Sequence, residues 1–274
     1  MILDIGNIDD FDTVQKLIFV IGHKNNMINT IIHWDCLEVM KNIPDGSIDA
    51  IITDTPYWST KCSWDSVIPF EPMWEQLKRI IKPNGAIVLF GSEPFSSALR
   101  MSNIKMYKYD WIWEKDAGSN FQTVKYQPMK EHEIISVFWE WKINYFPIMQ
   151  ERIGARKWKE TTTIDSWRTN SVYWTMAWGK KLFVPELRNP RSIQRFNRER
   201  WIHPTQKPVA LIEYLIKTYT NEWETVLDFT SWSGTTWIAA QNTNRNYILI
   251  EKDEWYYNIS KERLLKNKIL LWSI

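Results

Sequence analysis

A chain of 274 residues with 44% hydrophobic content can bury a full core as one large domain, alone or with an insertion. Two cysteines exclude a disulfide framework, four scattered histidines offer no metal pair, and no apolar run approaches a membrane span. The net charge of +2 hides an asymmetry: residues 141–207 hold 14 Lys/Arg against 5 Asp/Glu, which points to a polyanion partner.

Residues 1–26 show little organisation. "NTIIHWD" (29–35) reads as a short strand ending on Asp35, and "LEVMKNI" as a helix. After the turn "PDGS", "IDAIITD" (48–54) is a β-branched run of the kind that forms a buried parallel strand. "FEPMWEQLKRIIKPNG" is an amphipathic helix closed by Pro and Gly, "GAIVLFG" a second buried strand, and "EPFSSALRM" a helix. "YKYDWIWEK" and "HEIISVFWE" read as a closing pair of strands. From about 117 to 200 the periodicity is weak, polar and basic. Regular elements return with "PVALIEYLIKTY" (helix), "TVLDF" (strand), "TTWIAAQN" (helix), "NYILIE" (strand) and "DEWYYNISKERLLK" (helix). Strands alternating with helices predict a mainly parallel α/β sheet with helices on both faces, interrupted by a basic insertion.

Two strand ends carry the chemistry. "TDTPYW" follows a buried strand, where open α/β sheets place ligands. Asp54 can accept a hydrogen bond from an amine, the turn at Pro56 presents backbone carbonyls, and Tyr57 offers a face for stacking. That set suits an exocyclic amine on a flat heterocycle, whose lone pair is delocalised until acceptors draw it toward tetrahedral geometry. The second site is "LDFTSWSGTT", with Glu251 ending the next strand 23 residues after Asp228. A carboxylate near that distance can bind a ribose diol. One half of the sheet would hold a nucleoside-like cofactor and the other an amine.

This combination resembles the S-adenosylmethionine-dependent DNA amino-methyltransferases, in the permuted β group whose catalytic motif precedes the cofactor motif. The resemblance covers residues 27–267: "TDTPY", a basic variable region, "HPTQKP" (203–208), then "LDFTSWSGTT". The family tetrapeptide is Asp-Pro-Pro-Tyr; here Thr55 replaces the first Pro. The likeness implies a class I, Rossmann-like methyltransferase fold in four parts. These are an N-terminal extension (1–26), a catalytic half (27–116), a target-recognition insertion (117–200) and a cofactor-binding half (201–274). It implies Asp54, Pro56 and Tyr57 as catalytic residues. For S-adenosyl-L-methionine it implies Asp35, Thr205, Lys207, Asp228, Phe229, Ser231, Trp232, Ser233, Gly234, Thr235, Thr236 and Glu251, with no metal. The expected reaction is methylation of adenine N6 in a specific sequence of double-stranded DNA, with base flipping; Asp at the tetrapeptide's first position is typical of adenine enzymes. A cognate restriction endonuclease, a monomer or homodimer, and a cytoplasmic bacterial or phage setting accompany it. The alternatives are cytosine-N4 methylation and a catalytically decayed DNA-binding relative. RNA or protein glutamine as substrate runs against the motif order. Cys36 and Cys62 are expected to be structural, and His132 and His203 are not needed as bases.

Glycine is scarce and tryptophan abundant, with 9 Gly and 18 Trp. Set against the family pattern, Trp34, Trp58, Trp201, Trp223, Trp232 and Trp237 stand where glycine is expected. The substitutions all run one way, which suggests UGA codons that the source reads as glycine. Trp64, Trp74, Trp111 and Trp113 fall where the family tolerates aromatics. Position 232 is expected to need positive φ, and position 237 to lack room for an indole.

Overall fold

The computed structural model describes residues 27–57, 67–151, 187–199 and 206–272. Two compact units emerge, one comprising Met1–Phe146 with Ser192–Ile274 and the other Pro147–Arg191.

In the larger unit the chain runs β1 (Thr30–His33), α1 (Cys36–Met40), β2 (Ile48–Thr53), α2 (Phe70–Ile80), β3 (Ile81–Gly91) and α3 (Phe95–Ser102). It continues with β4 (Tyr107–Glu114) and β5 (His132–Phe138). In the smaller unit β6 (Gln150–Glu151) and β7 (Leu187–Arg188) pair antiparallel. Back in the larger unit come β8 (Ile193–Arg195), α4 (Val209–Tyr219), β9 (Thr225–Asp228), α5 (Thr235–Asn242), β10 (Asn246–Glu251) and α6 (Glu254–Trp272).

Eight strands form one sheet in the order β1-β10-β9-β2-β3-β5-β4-β8. Five neighbours from β1 to β3 are parallel, and β5 inserts antiparallel between β3 and β4. The pair expected from "YKYDWIWEK" and "HEIISVFWE" therefore forms, and its second member also reaches back to β3. The segment expected as an insertion, 117–200, is not wholly outside the sheet. It supplies β5 and the edge strand β8, because both bury an apolar side chain row or pair against β4. The part that separates is Pro147–Arg191. Residues 1–26, expected as an extension, lie outside the described residues.

The two-residue period of the strands explains why helices cover both faces. Ile51, Ile87 and Leu89 point to one face, where they meet Val39 and Met40 of α1, Met73 and Leu77 of α2, and Leu99 of α3. Ala50, Ile52, Val88 and Phe90 point to the other, against Leu211, Leu215 and Ile216 of α4 and Ala239 and Ala240 of α5. Asp49 ties the strands at their amino ends. Its carboxylate accepts the Thr225 N–H at 2.9 Å and pairs with Lys82 at 2.6 Å.

From β2 the chain proceeds outward to β3, whereas from β9 it proceeds the other way through β10 toward β1. The loops after β2 and β9 thus leave adjacent strands and diverge. That reversal opens a crevice at the carboxyl ends of the strands.

Candidate active site

The loop after β2 carries Asp54, Thr55, Pro56 and Tyr57, and the loop after β9 carries 229–234. Parallel pairing of β2 with β9 brings them together. Thr230 Oγ1 donates to the Asp54 carbonyl at 3.0 Å, and the Phe229 N–H donates to Thr53 Oγ1 at 3.0 Å. Asp228 is the junction. Its carboxylate accepts the Thr53 hydroxyl and, at 2.5 Å, the Thr236 hydroxyl at the start of α5. Burial pushes its carboxyl up to about 6, against those hydrogen bonds.

Asp54 is fully engaged. Tyr57 donates its hydroxyl to Oδ1, and Lys207 Nζ lies 2.5 Å from Oδ2. Lys207 is itself buried, 3.3 Å from Glu133 at the start of β5, and Glu133 pairs with Lys115 at 2.6 Å. Two carboxylates and two ammonium groups alternate in one chain of contacts. Burial pushes the Asp54 carboxyl above its ordinary range, and Lys207 only partly offsets this. Glu133 is desolvated too, but two ammonium groups hold it below its ordinary value. The Lys207 ammonium is penalised by burial, yet Asp54 and Glu133 hold it above the usual lysine range. Lys207 Nζ also sits 5.7 Å from the centre of the Tyr57 ring, and Tyr57 packs against Phe95.

The loop after β9 closes on Glu251, at the end of β10. Glu251 accepts the Trp232 N–H at 2.7 Å and the Asp253 N–H at 2.8 Å, and burial pushes it up to about 7. Gly234, at φ +75°, leads into α5. Trp232 has φ +48°, the left-handed backbone expected there. Asp35 caps α1 through the Leu37 N–H at 3.0 Å and meets Lys252 at 3.1 Å.

Asp54, Lys207, Asp228, Ser231, Trp232, Ser233, Thr235 and Thr236 line one cleft. Phe229 is buried in the core, Pro56 is buried in its turn, and Asp35 and Glu251 stand at the ends of the neighbouring strands β1 and β10. Thr205, Trp58 and Trp201 lie outside the described residues. Lys207, expected on the cofactor, contacts the Asp54 carboxylate. Glu133 and Lys115 were not anticipated. A charged residue opening an otherwise apolar strand, "HEIISVF", was the available signal.

Position 237 departs from expectation. The whole indole of Trp237 is seated in the apolar layer between α5 and the sheet, only 1% exposed. Room exists partly because Gly234 has no Cβ; one added there would lie 2.6 Å from the ring. The cost appears elsewhere, since the Trp237 indole N–H has no hydrogen-bond partner among the described residues.

The donor set suits a nucleoside bearing a cationic methyl group: the buried carboxylates Asp228 and Glu251, and a polar loop entering a helix. The space does not. The Trp232 side chain crosses from the loop after β9, and its Nε1 donates to the Asp54 carbonyl at 2.9 Å. The cleft retains about 30 Å³. Pockets for such ligands hold roughly 300 Å³ or more.

Comparison with known proteins identifies the family. A family model described as DNA methylase matches residues 48–262. The type II methyltransferase M.HpaI of Haemophilus parainfluenzae is 29% identical over 252 residues, 87% of this chain and 74% of that protein. The type II methyltransferase M2.MboI of Moraxella bovis is 28% identical, covering 85% of this chain and 86% of that one. Among solved structures, the M1.HpyAVI–SAM complex superposes with a TM-score of 0.56 at 25% identity, over 85% of this chain and 98% of that chain. The PvuII cytosine-N4-specific DNA methyltransferase shares the fold, with a TM-score of 0.58 at 16% identity over 85% of this chain and 84% of that one. The matched region spans both strand-end loops and every strand of the sheet except β1, and the chain belongs to the DNA methylase family.

Proposed function

We propose that the protein methylates the N6 amine of adenine in duplex DNA. The carrying observation is the buried carboxylate of Asp54, hydrogen-bonded to Tyr57 and set directly beside the loop after β9. Its methyl donor, S-adenosylmethionine, supplies an electrophilic methyl group; the M1.HpyAVI relative is known as a complex with it.

The chain's own groups suggest the following roles. An Asp54 oxygen accepts an amine proton, which concentrates the lone pair on nitrogen. Because Tyr57 and Lys207 occupy both oxygens at rest, the incoming amine displaces one of them. Raised by burial, the Asp54 carboxyl is well suited to take the proton the amine releases after transfer. Lys207 then balances the carboxylate charge when the site empties. Reaching Asp54 requires the adenine to leave the helix stack, which costs a few kcal/mol. Stacking on Tyr57 offsets about 1–3 kcal/mol of that. Asp228, Glu251, Asp35 and the loop 229–236 would hold the donor. The basic segment, within 117–200, would track phosphates and carry target recognition.

The test is product identity. The chain and its Trp232→Gly variant are incubated with duplex DNA and S-adenosylmethionine, and the nucleosides are separated by mass spectrometry. N6-methyladenine is expected. N4-methylcytosine would overturn the base assignment, and no methylated nucleoside from either protein would overturn the reading.

A further inference from the structure

Among the described residues, four that are not glycine hold positive φ: Asn29, Trp223, Trp232 and Asn244. Asparagine tolerates this backbone; for a bulky side chain it is an outlier. Trp223, at φ +68°, forms the turn between α4 and β9. Its N–H donates to the Asn244 carbonyl at 2.7 Å, and its carbonyl accepts from Asn246 Nδ2 at 2.6 Å. Those are main-chain bonds that any residue could make, and the ring is 71% exposed. Trp232 is held similarly, through its N–H to Glu251 and its carbonyl to Ser260 Oγ at 2.6 Å. The Trp232 indole adds a hydrogen bond to the Asp54 carbonyl and an edge contact with Tyr256, whereas the positive φ at both positions is set by bonds of the main chain.

The core tryptophans behave differently. Trp74 Nε1 donates to Ser102 Oγ at 2.7 Å, Trp111 Nε1 to the Tyr219 hydroxyl at 2.6 Å, and Trp113 Nε1 to the Phe196 carbonyl at 2.8 Å. Each has ordinary backbone and a satisfied ring. Trp237 is buried with its N–H unpaired among the described residues. Among the described residues, Trp223 and Trp232 are the tryptophans at positive φ, and both stand where glycine is expected; Trp34, also expected as glycine, has ordinary backbone and packs against the core.

We infer that positions 223 and 232 are glycine in the protein its source makes, through UGA codons read there as glycine, and that the Trp232 indole is what excludes the methyl donor. The second half rests on the methyltransferase reading proposed above; the first does not. A gating role for Trp232 would explain that residue alone. Trp223 adopts the same backbone at a turn with no part in the cleft, so one cause covering both is preferred.

The experiment has three readouts. First, Trp223→Gly should raise the melting temperature by about 2–4 °C, more than Trp223→Ala, because only glycine relieves the left-handed backbone. Trp141→Gly is the control: Trp141 is 80% exposed without positive φ, and its loss should bring no gain. Second, Trp232→Gly should bind S-adenosylmethionine tenfold or more tighter by calorimetry. Third, peptides of the protein isolated from its source should carry glycine at 223 and 232. Tryptophan in those peptides, or no thermal gain for Trp223→Gly over the alanine variant, overturns the glycine assignment. Equal, measurable affinities in both proteins overturn the exclusion by Trp232. A thermal gain with no binding by either protein leaves the glycine assignment standing and defeats the methyl-donor reading.

Discussion

Replacing Lys207 with methionine should be among the most damaging single changes in the molecule. The side chains are similar in length, so the chief loss is the charge, which sits 5.3 Å from the centre of the Phe90 ring. That charge sits 2.5 Å from Asp54 and 3.3 Å from Glu133, all three groups being largely removed from water. A buried ion pair is not itself a strong source of stability, because desolvation offsets most of the attraction. Removing one partner is different: an uncompensated buried charge costs about 3–5 kcal/mol. Here two carboxylates lose a shared partner, and among the described residues Glu133 keeps Lys115 whereas Asp54 keeps the Tyr57 hydroxyl. The loss should therefore fall mainly on Asp54 and lie near the lower end of that range. Urea denaturation at about pH 7 and about pH 5 measures it. In the variant the folded Asp54 carboxyl titrates above its unfolded value, so stability falls as pH rises through that window and the defect shrinks at the lower pH. Adding Glu133→Gln should recover part of the loss. A defect below about 1 kcal/mol, or one independent of pH, would show that the four groups do not act as a charge-balanced unit.

Other outcomes follow from the same geometry. Asp54→Ala, made in a Trp232→Gly background, should abolish methyl transfer and leave donor affinity nearly unchanged by calorimetry; normal turnover would remove Asp54 from the chemistry. Burial raises Glu251 from an ordinary 4.5 to about 7 and Asp228 from 3.8 to about 6. Between those limits the folded state keeps protons that the unfolded chain has released, so both groups make the protein less stable as pH rises. For Glu251 this is worth on the order of 3 kcal/mol, and Glu251→Gln should flatten the slope of melting temperature against pH. DNA affinity should fall a thousandfold or so between about 50 and 200 mM salt if six or more phosphates are contacted, and a shallow dependence would argue against the basic segment as the DNA-binding surface. Exchanging Pro147–Arg191 for the matching segment of a relative should change which sequence is methylated and not the base product, as read by methylation-sensitive sequencing.

Much of this protein is legible in the linear chain because its signals are local. Apolar runs such as "IDAIITD" can lie only inside a sheet covered on both faces, and β2 is buried along its whole length. Motif spacing places Asp54 and Asp228 at strand ends, since a strand of a few residues leaves little freedom for where its last carboxylate emerges. Even the positive φ at 232 follows from a loop that must turn between a strand and a helix within a few residues. Tertiary structure alone decided the rest. That β5 lies between β3 and β4 depends on pairing across long sequence separations, to which residue pattern is blind. Glu133 meets Lys207 only because β5 delivers it to the end of the sheet where β2 ends, 74 residues away in sequence from its partner. Trp237 was expected to clash, yet it packs, because the volume at that point is set jointly by Gly234, α4 and the sheet. Local backbone demands are written in neighbouring residues, whereas available volume and buried charge balance are properties of elements brought together from distant parts of the chain.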